Sequence, residues 1–252
     1  MSKEQFELKK DAISAIQEKD VMSPNMPVDT ALQEAEDLYV WCQPDKDLLV
    51  KAGLDWALVE DMPAATGACR YIQSQWQKEY MSLEEAQKEW GLKSPGAYEL
   101  RDGILHDFYH AFYNFPDLYS RTQKIAEGNT HADMIQDLSD MAALGLANTQ
   151  ALQAISFDLT LLDKAETLSS QMAELLANAN GKKLENNKLC LLRDKAYTYL
   201  KRIVDEIRRN GQYIFWKDEQ RYKGYLSIYY KKRAAKSQKA KPVNVPTEPQ
   251  KV

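Results

Sequence analysis

Glycine and proline are scarce in this chain, with 10 and 9 copies in 252 residues, and most of them stand where a helix would begin or end. A sandwich or barrel of short strands needs turn residues at each reversal, so this scarcity excludes an all-β fold. Long apolar runs are missing too. The densest, Met141 to Ala147, falls far short of the roughly 18 residues of a transmembrane helix. The opening stretch MSKEQFELKK is charged and lacks the apolar centre of a secretory signal, so no signal peptide and no membrane span are expected. Cysteine appears three times, at Cys42, Cys69 and Cys190, in odd number, widely spaced and never as C-x-x-C. Free thiols in a reducing cytoplasm are the expectation. There is no G-x-S-x-G, no Walker loop, no Rossmann glycine pattern, no H-E-x-x-H and no E-x-x-H, which removes the usual nucleophile, nucleotide and di-iron signatures.

What remains is helical periodicity. Hydrophobic residues make up 44% of the chain and charged residues 28%, enough for a sizeable core under a solvated surface. Phe6, Ala12, Ile13 and Ile16 mark a first short helix. Pro27 opens a second, with Leu32, Ala35, Leu38 and Cys42 on one face, and Pro44 ends it. A short helix closes at Gly53, and Pro63 opens a longer one to about Tyr80. Ser82 to Glu85 reads as a capping box for a helix ending at Trp90-Gly91. Ser94-Pro95 reads as an N-cap followed by proline at N1, starting a helix through Leu100, Ile104, Phe108 and Phe112. Pro116 and Thr130 begin two more helices, and an apolar repeat runs from Thr149 to Asn178. Asn180-Gly181 reads as a stop and residues 182–187 as a polar connector.

The stretch from Leu189 to Arg233 organises the rest. Leu192, Ala196, Leu200, Ile203 and Ile207 form one stripe, Asn210-Gly211 offers a positive-φ stop, and Phe215, Tyr222, Leu226 and Tyr229 fall on one side of a second arm. This predicts an αα-hairpin with aromatic packing. It is also basic: Lys182 to Lys241 holds 18 Lys and Arg against 6 Asp and Glu, although the whole chain carries −4. The first 181 residues are therefore strongly acidic, and the hairpin either packs on that acidic body or faces an anionic partner. Packing is the favoured reading.

Two constellations carry chemistry. His106 and His110 lie four apart, so both rings leave one face of a helix, with Asp102 one turn upstream and His131 as a third imidazole. Such a set can hold a divalent metal. It is similar to the DinB-like metal-binding bundles, which use an H-x-x-x-H pair with a third histidine, although there the single histidine precedes the pair. The bland alternative is hydrogen-bonded histidines on a helix flank. Secondly, Arg208, Arg209, Lys217, Arg221, Lys223, Lys231, Lys232 and Arg233 interleave with Tyr213, Trp216, Tyr225 and Tyr230. Cations beside flat rings suit phosphates and stacked bases, hence nucleic acid, whereas the seven-residue spacing of Phe215, Tyr222 and Tyr229 favours packing.

The run RDKAYTYLKRIVDEIRRNGQYIFWKDEQRYKGY, with SPGAYELRDGILHDF and HADMIQDLSDMAALG upstream, resembles a family of uncharacterised, all-helical bacterial proteins of similar length. That resemblance implies an intact helical globular protein and assigns no functional residue.

The expected architecture is all-α: an N-terminal subdomain of short helices over residues 1–92, a bundle of long antiparallel helices over 93–235 ending in the basic-aromatic hairpin, and a disordered tail over 236–252. The expected role is a non-enzymatic cytoplasmic interaction or scaffold protein. Its partner is expected to be protein, with self-association through an apolar helix face as one form. A metal-binding bundle and a nucleic-acid-binding hairpin are the alternatives.

Overall fold

The structure, a computed structural model, describes residues 2–239. All of its regular structure is helical, so the all-α expectation holds. The helices are α1 (Ser2–Ser14), α2 (Val28–Cys42), α3 (Lys46–Lys51), α4 (Trp56–Ala111), α5 (Pro116–Ile125), α6 (His131–Leu146), α7 (Thr149–Gln153), α8 (Thr160–Ile214), α9 (Glu219–Gly224) and α10 (Ile228–Lys239). None of the described helices is long and apolar enough to cross a membrane.

Helix length is where local signals mislead. α4 runs unbroken for 56 residues through Pro63, the Ser82–Glu85 box, Gly91 and Ser94-Pro95. An interior proline loses one backbone bond, at a cost of about 3 kcal/mol, and a glycine costs about 1. Those losses are outweighed because the apolar stripe does not stop: Leu83, Ala86, Ala97, Ile104, Leu105 and Phe108 are all buried along the same helix. α8 is likewise continuous for 55 residues through Asn180-Gly181 and the expected polar connector. The polar reading of that stretch was sound, since nothing between Met172 and Asp194 is buried, but polarity on every side does not break a helix. The reverse error occurs at residues 154–159. There the repeat expected to continue is interrupted, with Ser156 at φ 57°.

The chain divides into two compact units. Of the described residues, one takes 2–77 and 188–239, the other 78–187. The expected boundary near Gly91 to Pro95, between a 1–92 subdomain and a 93–235 bundle, is therefore displaced. Core composition rather than stop signals sets the division, because α4 and α8 each contribute to both cores.

In the first unit, Val28, Leu32, Ala35, Leu38 and Cys42 of α2 share a core with Val59, Met62, Ala65, Cys69 and Ile72 of α4 and with Ala196, Tyr197, Leu200, Ile203 and Ile207 of α8. Tyr199 donates to Asp61 at 2.6 Å, and the Arg193 guanidinium lies 4.2 Å from the centroid of Trp76. Numbers rise along α4 as they fall along α8, so the two helices are antiparallel here. The second unit packs Ile104, Phe108 and Phe112 against Met134, Leu138 and Met141 of α6 and Leu162, Ala165 and Met172 of α8. Thr130 begins α6 as expected, and it does so through a capping box with Asp133 in place of glutamate.

The C-terminal arm differs most from expectation. Asn210-Gly211 does not close α8, which continues to Ile214. The second arm is two short helices, α9 capped by Asp218 and α10 after Ser227. Gly211 is glycine for a steric reason: a Cβ there would fall 2.1 Å from the ring of Tyr225. Of the aromatics in this stretch, Tyr225 has no exposed surface and Phe215 is buried as expected, while Tyr222 is only half-buried. Residues 236–239, expected to be disordered, belong to α10, and the rest of the expected tail, 240–252, lies outside the described residues.

Candidate ligand-binding site

The site is in the first unit and begins with a charged residue in an apolar stripe. On α2, Ala31, Ala35 and Leu38 face the core, and Glu34 shares that face with only 8% of its surface exposed. A buried carboxylate needs donors on both oxygens, and α8 and α10 provide them. Arg208 donates from Nη2 to Oε2 at 2.7 Å, while Tyr229 N–H at 2.7 Å and Ser227 Oγ at 3.2 Å donate to Oε1. The Tyr229 amide belongs to the first turn of α10, where backbone donors lack intrahelical partners, so Glu34 caps α10 from another helix. Burial pushes the Glu34 pKa up, but the Tyr229 amide, Arg208 and Ser227 outweigh it and hold the carboxyl below its ordinary value.

Beside this knot lies a cleft of about 590 Å³ between α2, α8 and α10. Its apolar wall is Met26, Ala31, Leu200, Val204 and Leu226, with the rings of Tyr197 and Tyr230. Lys201, Asp205, Arg209 and Lys231 stand around it. Lys201 contacts both oxygens of Asp205, at 2.8 and 2.7 Å. Tyr197 donates to Asn25 Oδ1 at 2.9 Å, and burial pushes its phenol up to about 12. Two of the residues lining the cleft each carry a buried polar atom without a hydrogen-bond partner: Arg208 at Nε and Tyr230 at Oη. Most buried polar atoms are paired, so each exception calls for a reason; Trp41 Nε1 and Arg221 Nε, at the contact between α9 and α2, are two more.

A second polar cluster latches α9 onto α2. Arg221 pairs with Asp45, donates to the Trp41 carbonyl at 2.9 Å and stacks 4.2 Å from the Trp41 ring centroid. Tyr225 also donates to Asp45 and stacks on Phe215 with centroids 5.6 Å apart. Gly224 lets the Trp41 ring approach where a Cβ would lie 2.0 Å from it.

The residues expected to meet nucleic acid therefore separate. Arg208 and Arg221 turn inward onto Glu34 and Asp45, as the packing alternative requires. Arg209 pairs with Glu206 and Lys223 with Glu219 along their own helices, and Lys217 lies over Trp216 at 4.6 Å. Lys231, Lys232 and Arg233 are exposed on α10. No single continuous basic face contains all eight.

The histidine set in the second unit is not brought together. His106 and His110 are exposed on the face of α4 away from Ile104 and Phe108. Asp102 is paired with the neighbouring Arg101 at 2.7 Å. His131 Nδ1 shares a hydrogen bond of 2.8 Å with Tyr98 Oη, and its ring packs on Trp90 at 4.8 Å. Tyr98 precedes His106 by eight residues, about 12 Å along a helix. Among the described residues no group of three or more His, Cys, Asp or Glu converges to hold a metal. The helical spacing of His106 and His110 was right, but it aims them at solvent.

Sequence reasoning missed Glu34, Tyr197, Met26 and Ala31 as site residues. A carboxylate on the apolar face of α2 was the legible signal for Glu34. Its partners lie more than 170 residues away and could not be read locally.

No family model matches this chain, and no curated protein and no solved structure matches it either. The functional argument therefore rests on the geometry.

Proposed function

We propose that this chain is a non-enzymatic binding protein and that the cleft between α2, α8 and α10 is its recognition site. One observation carries the reading: an apolar cleft of ligand size, about 590 Å³, is lined by Arg208 and Tyr230, each with a buried polar atom that the protein itself leaves unpaired. Small-molecule sites are mostly apolar with a few convergent polar groups, in volumes of about 300–1,000 Å³. The chemistry around the cleft supports binding over catalysis. Neither histidine nor cysteine lines it. Ser227 does donate to a carboxylate, but Glu34 is held below its ordinary pKa and already accepts from Arg208, which makes it a poor general base. The thiols of Cys42 and Cys69 are pushed by burial up to about 11 and 12, away from nucleophilic use. Three free thiols support an intracellular setting.

The test is a titration of the methyl-labelled full chain with small apolar, anionic, cationic and zwitterionic probes. Saturable shifts of the Met26, Ala31, Leu200, Val204 and Leu226 methyls are expected with at least one probe, and Ala31→Trp, which fills the cleft, should remove them. Cleft methyls that stay unmoved across the whole panel would refute the reading.

A further inference from the structure

We infer that the cleft takes a free single-chain amphiphile with one anionic headgroup, a carboxylate or phosphate monoester, its head on Arg208 and Tyr230 and its apolar body along Met26, Leu200, Val204 and Leu226. The inference rests on the cleft being a binding site and adds the class of occupant.

The sign of the headgroup follows from which polar groups are already satisfied. Both carboxylates at the cleft already have a cationic partner: Glu34 accepts from Arg208, the Tyr229 amide and Ser227, and both oxygens of Asp205 face Lys201. With their charge already offset by Arg208 and Lys201, they attract a cationic head less than an unpartnered carboxylate would. On the donor side, Arg208 spends Nη2 on Glu34 and keeps Nε buried and unpaired. Tyr230 Oη is buried and unpaired as well, and Lys231 adds positive charge beside it. An oxyanion accepts from a guanidinium N–H and a phenol O–H together, and charge-assisted bonds of this kind are about twice as strong as neutral ones. Met26, Ala31, Leu200, Val204 and Leu226 give the wall an aliphatic part, which suits a hydrocarbon body.

The experiment is calorimetric titration of the full-length chain with dodecanoate, dodecyltrimethylammonium and dodecyl maltoside, each below its micelle concentration. The expected result is one dodecanoate per chain, with the cationic and neutral analogues at least about tenfold weaker. Tyr230→Phe removes only the hydroxyl. Because that hydroxyl has no partner in the unliganded protein, the unfolding midpoint should hold or rise while dodecanoate affinity falls about tenfold. Arg208→Lys keeps a cation for Glu34 and removes the Nε–H, and it too should weaken dodecanoate while retaining the fold. Sedimentation with anionic phospholipid vesicles separates a free amphiphile from a bilayer, and no co-sedimentation is expected. Equal affinity for the three headgroups, an unaltered Tyr230→Phe affinity, or binding to vesicles alone overturns the anion assignment while leaving the cleft reading to its own test. No binding by any amphiphile, together with unmoved cleft methyls, overturns both.

Discussion

Replacing Gly211 with alanine tests the packing of the C-terminal arm, because helix propensity and tertiary packing give opposite signs. Gly211 lies inside α8, where glycine is about 1 kcal/mol worse than alanine. On propensity alone the change stabilises. The new Cβ would sit 2.1, 2.3 and 2.4 Å from Cδ1, Cγ and Cε1 of Tyr225, whereas real contacts stay beyond about 3 Å. The ring has nowhere to go: Tyr225 is fully buried, stacked on Phe215 at an interplanar angle of 12°, and tied through its hydroxyl to Asp45. Overpacking of this kind costs about 1–3 kcal/mol, and a clash with a fixed ring belongs at the upper end. Net of the propensity gain, Gly211→Ala should destabilise by about 2 kcal/mol, or about 4–8 °C in Tm for a domain of this size. Gly181 is the internal control, in the same helix with nothing within 4 Å of its Cβ position, so Gly181→Ala should stabilise by about 0.5–1 kcal/mol. Scanning calorimetry reads both. In a Tyr225→Ala background the Gly211→Ala effect should change sign, since the obstructing ring is gone. A Gly211→Ala protein that melts above the wild type would refute the argument that the Tyr225 ring fixes this glycine.

Tyr225→Ala should cost about 3–5 kcal/mol by urea titration, and Tyr225→Phe about 1–2 for the bond to Asp45, with Tyr222→Ala smaller than Tyr225→Ala because its ring is only half-buried. Replacing Lys231, Lys232 and Arg233 together by alanine should leave the unfolding midpoint unchanged, and filter-binding assays at physiological salt should find no DNA affinity in either protein; micromolar binding with a steep salt slope would reverse that. Asp137 sits with 4% of its surface exposed, and burial pushes its carboxyl up to about 6 despite Arg101 at 3.4 Å, with Asp133 and Asp140 adding to the rise. A carboxyl raised in the folded state contributes stability below about pH 3.8 that is lost as pH rises through 6. Asp137→Asn should therefore gain about 1–3 kcal/mol at pH 7 over the wild type, with the difference vanishing near pH 4 in denaturation curves.

Local chemistry in the sequence was enough to determine that the chain is helical. Apolar residues at 3–4 spacing and few turn residues left no other regular structure, and caps such as Thr130 with Asp133 formed because their geometry involves only neighbouring residues. The face of α2 carrying Leu32, Ala35, Leu38 and Cys42 was legible for the same reason. That α4 and α8 run unbroken through the expected stops was not legible. Proline, glycine and a polar stretch each impose a bounded local cost, whereas the burial that offsets it comes from residues distant in the chain. The inward turn of Arg208 and Arg221 was likewise a tertiary decision. Their charge was visible, but the buried carboxylates that claim them, Glu34 and Asp45, stand more than 170 residues earlier. The cleft exists only once α2, α8 and α10 meet. Packing buries Arg208 Nε and Tyr230 Oη in that fold and supplies neither atom with a partner.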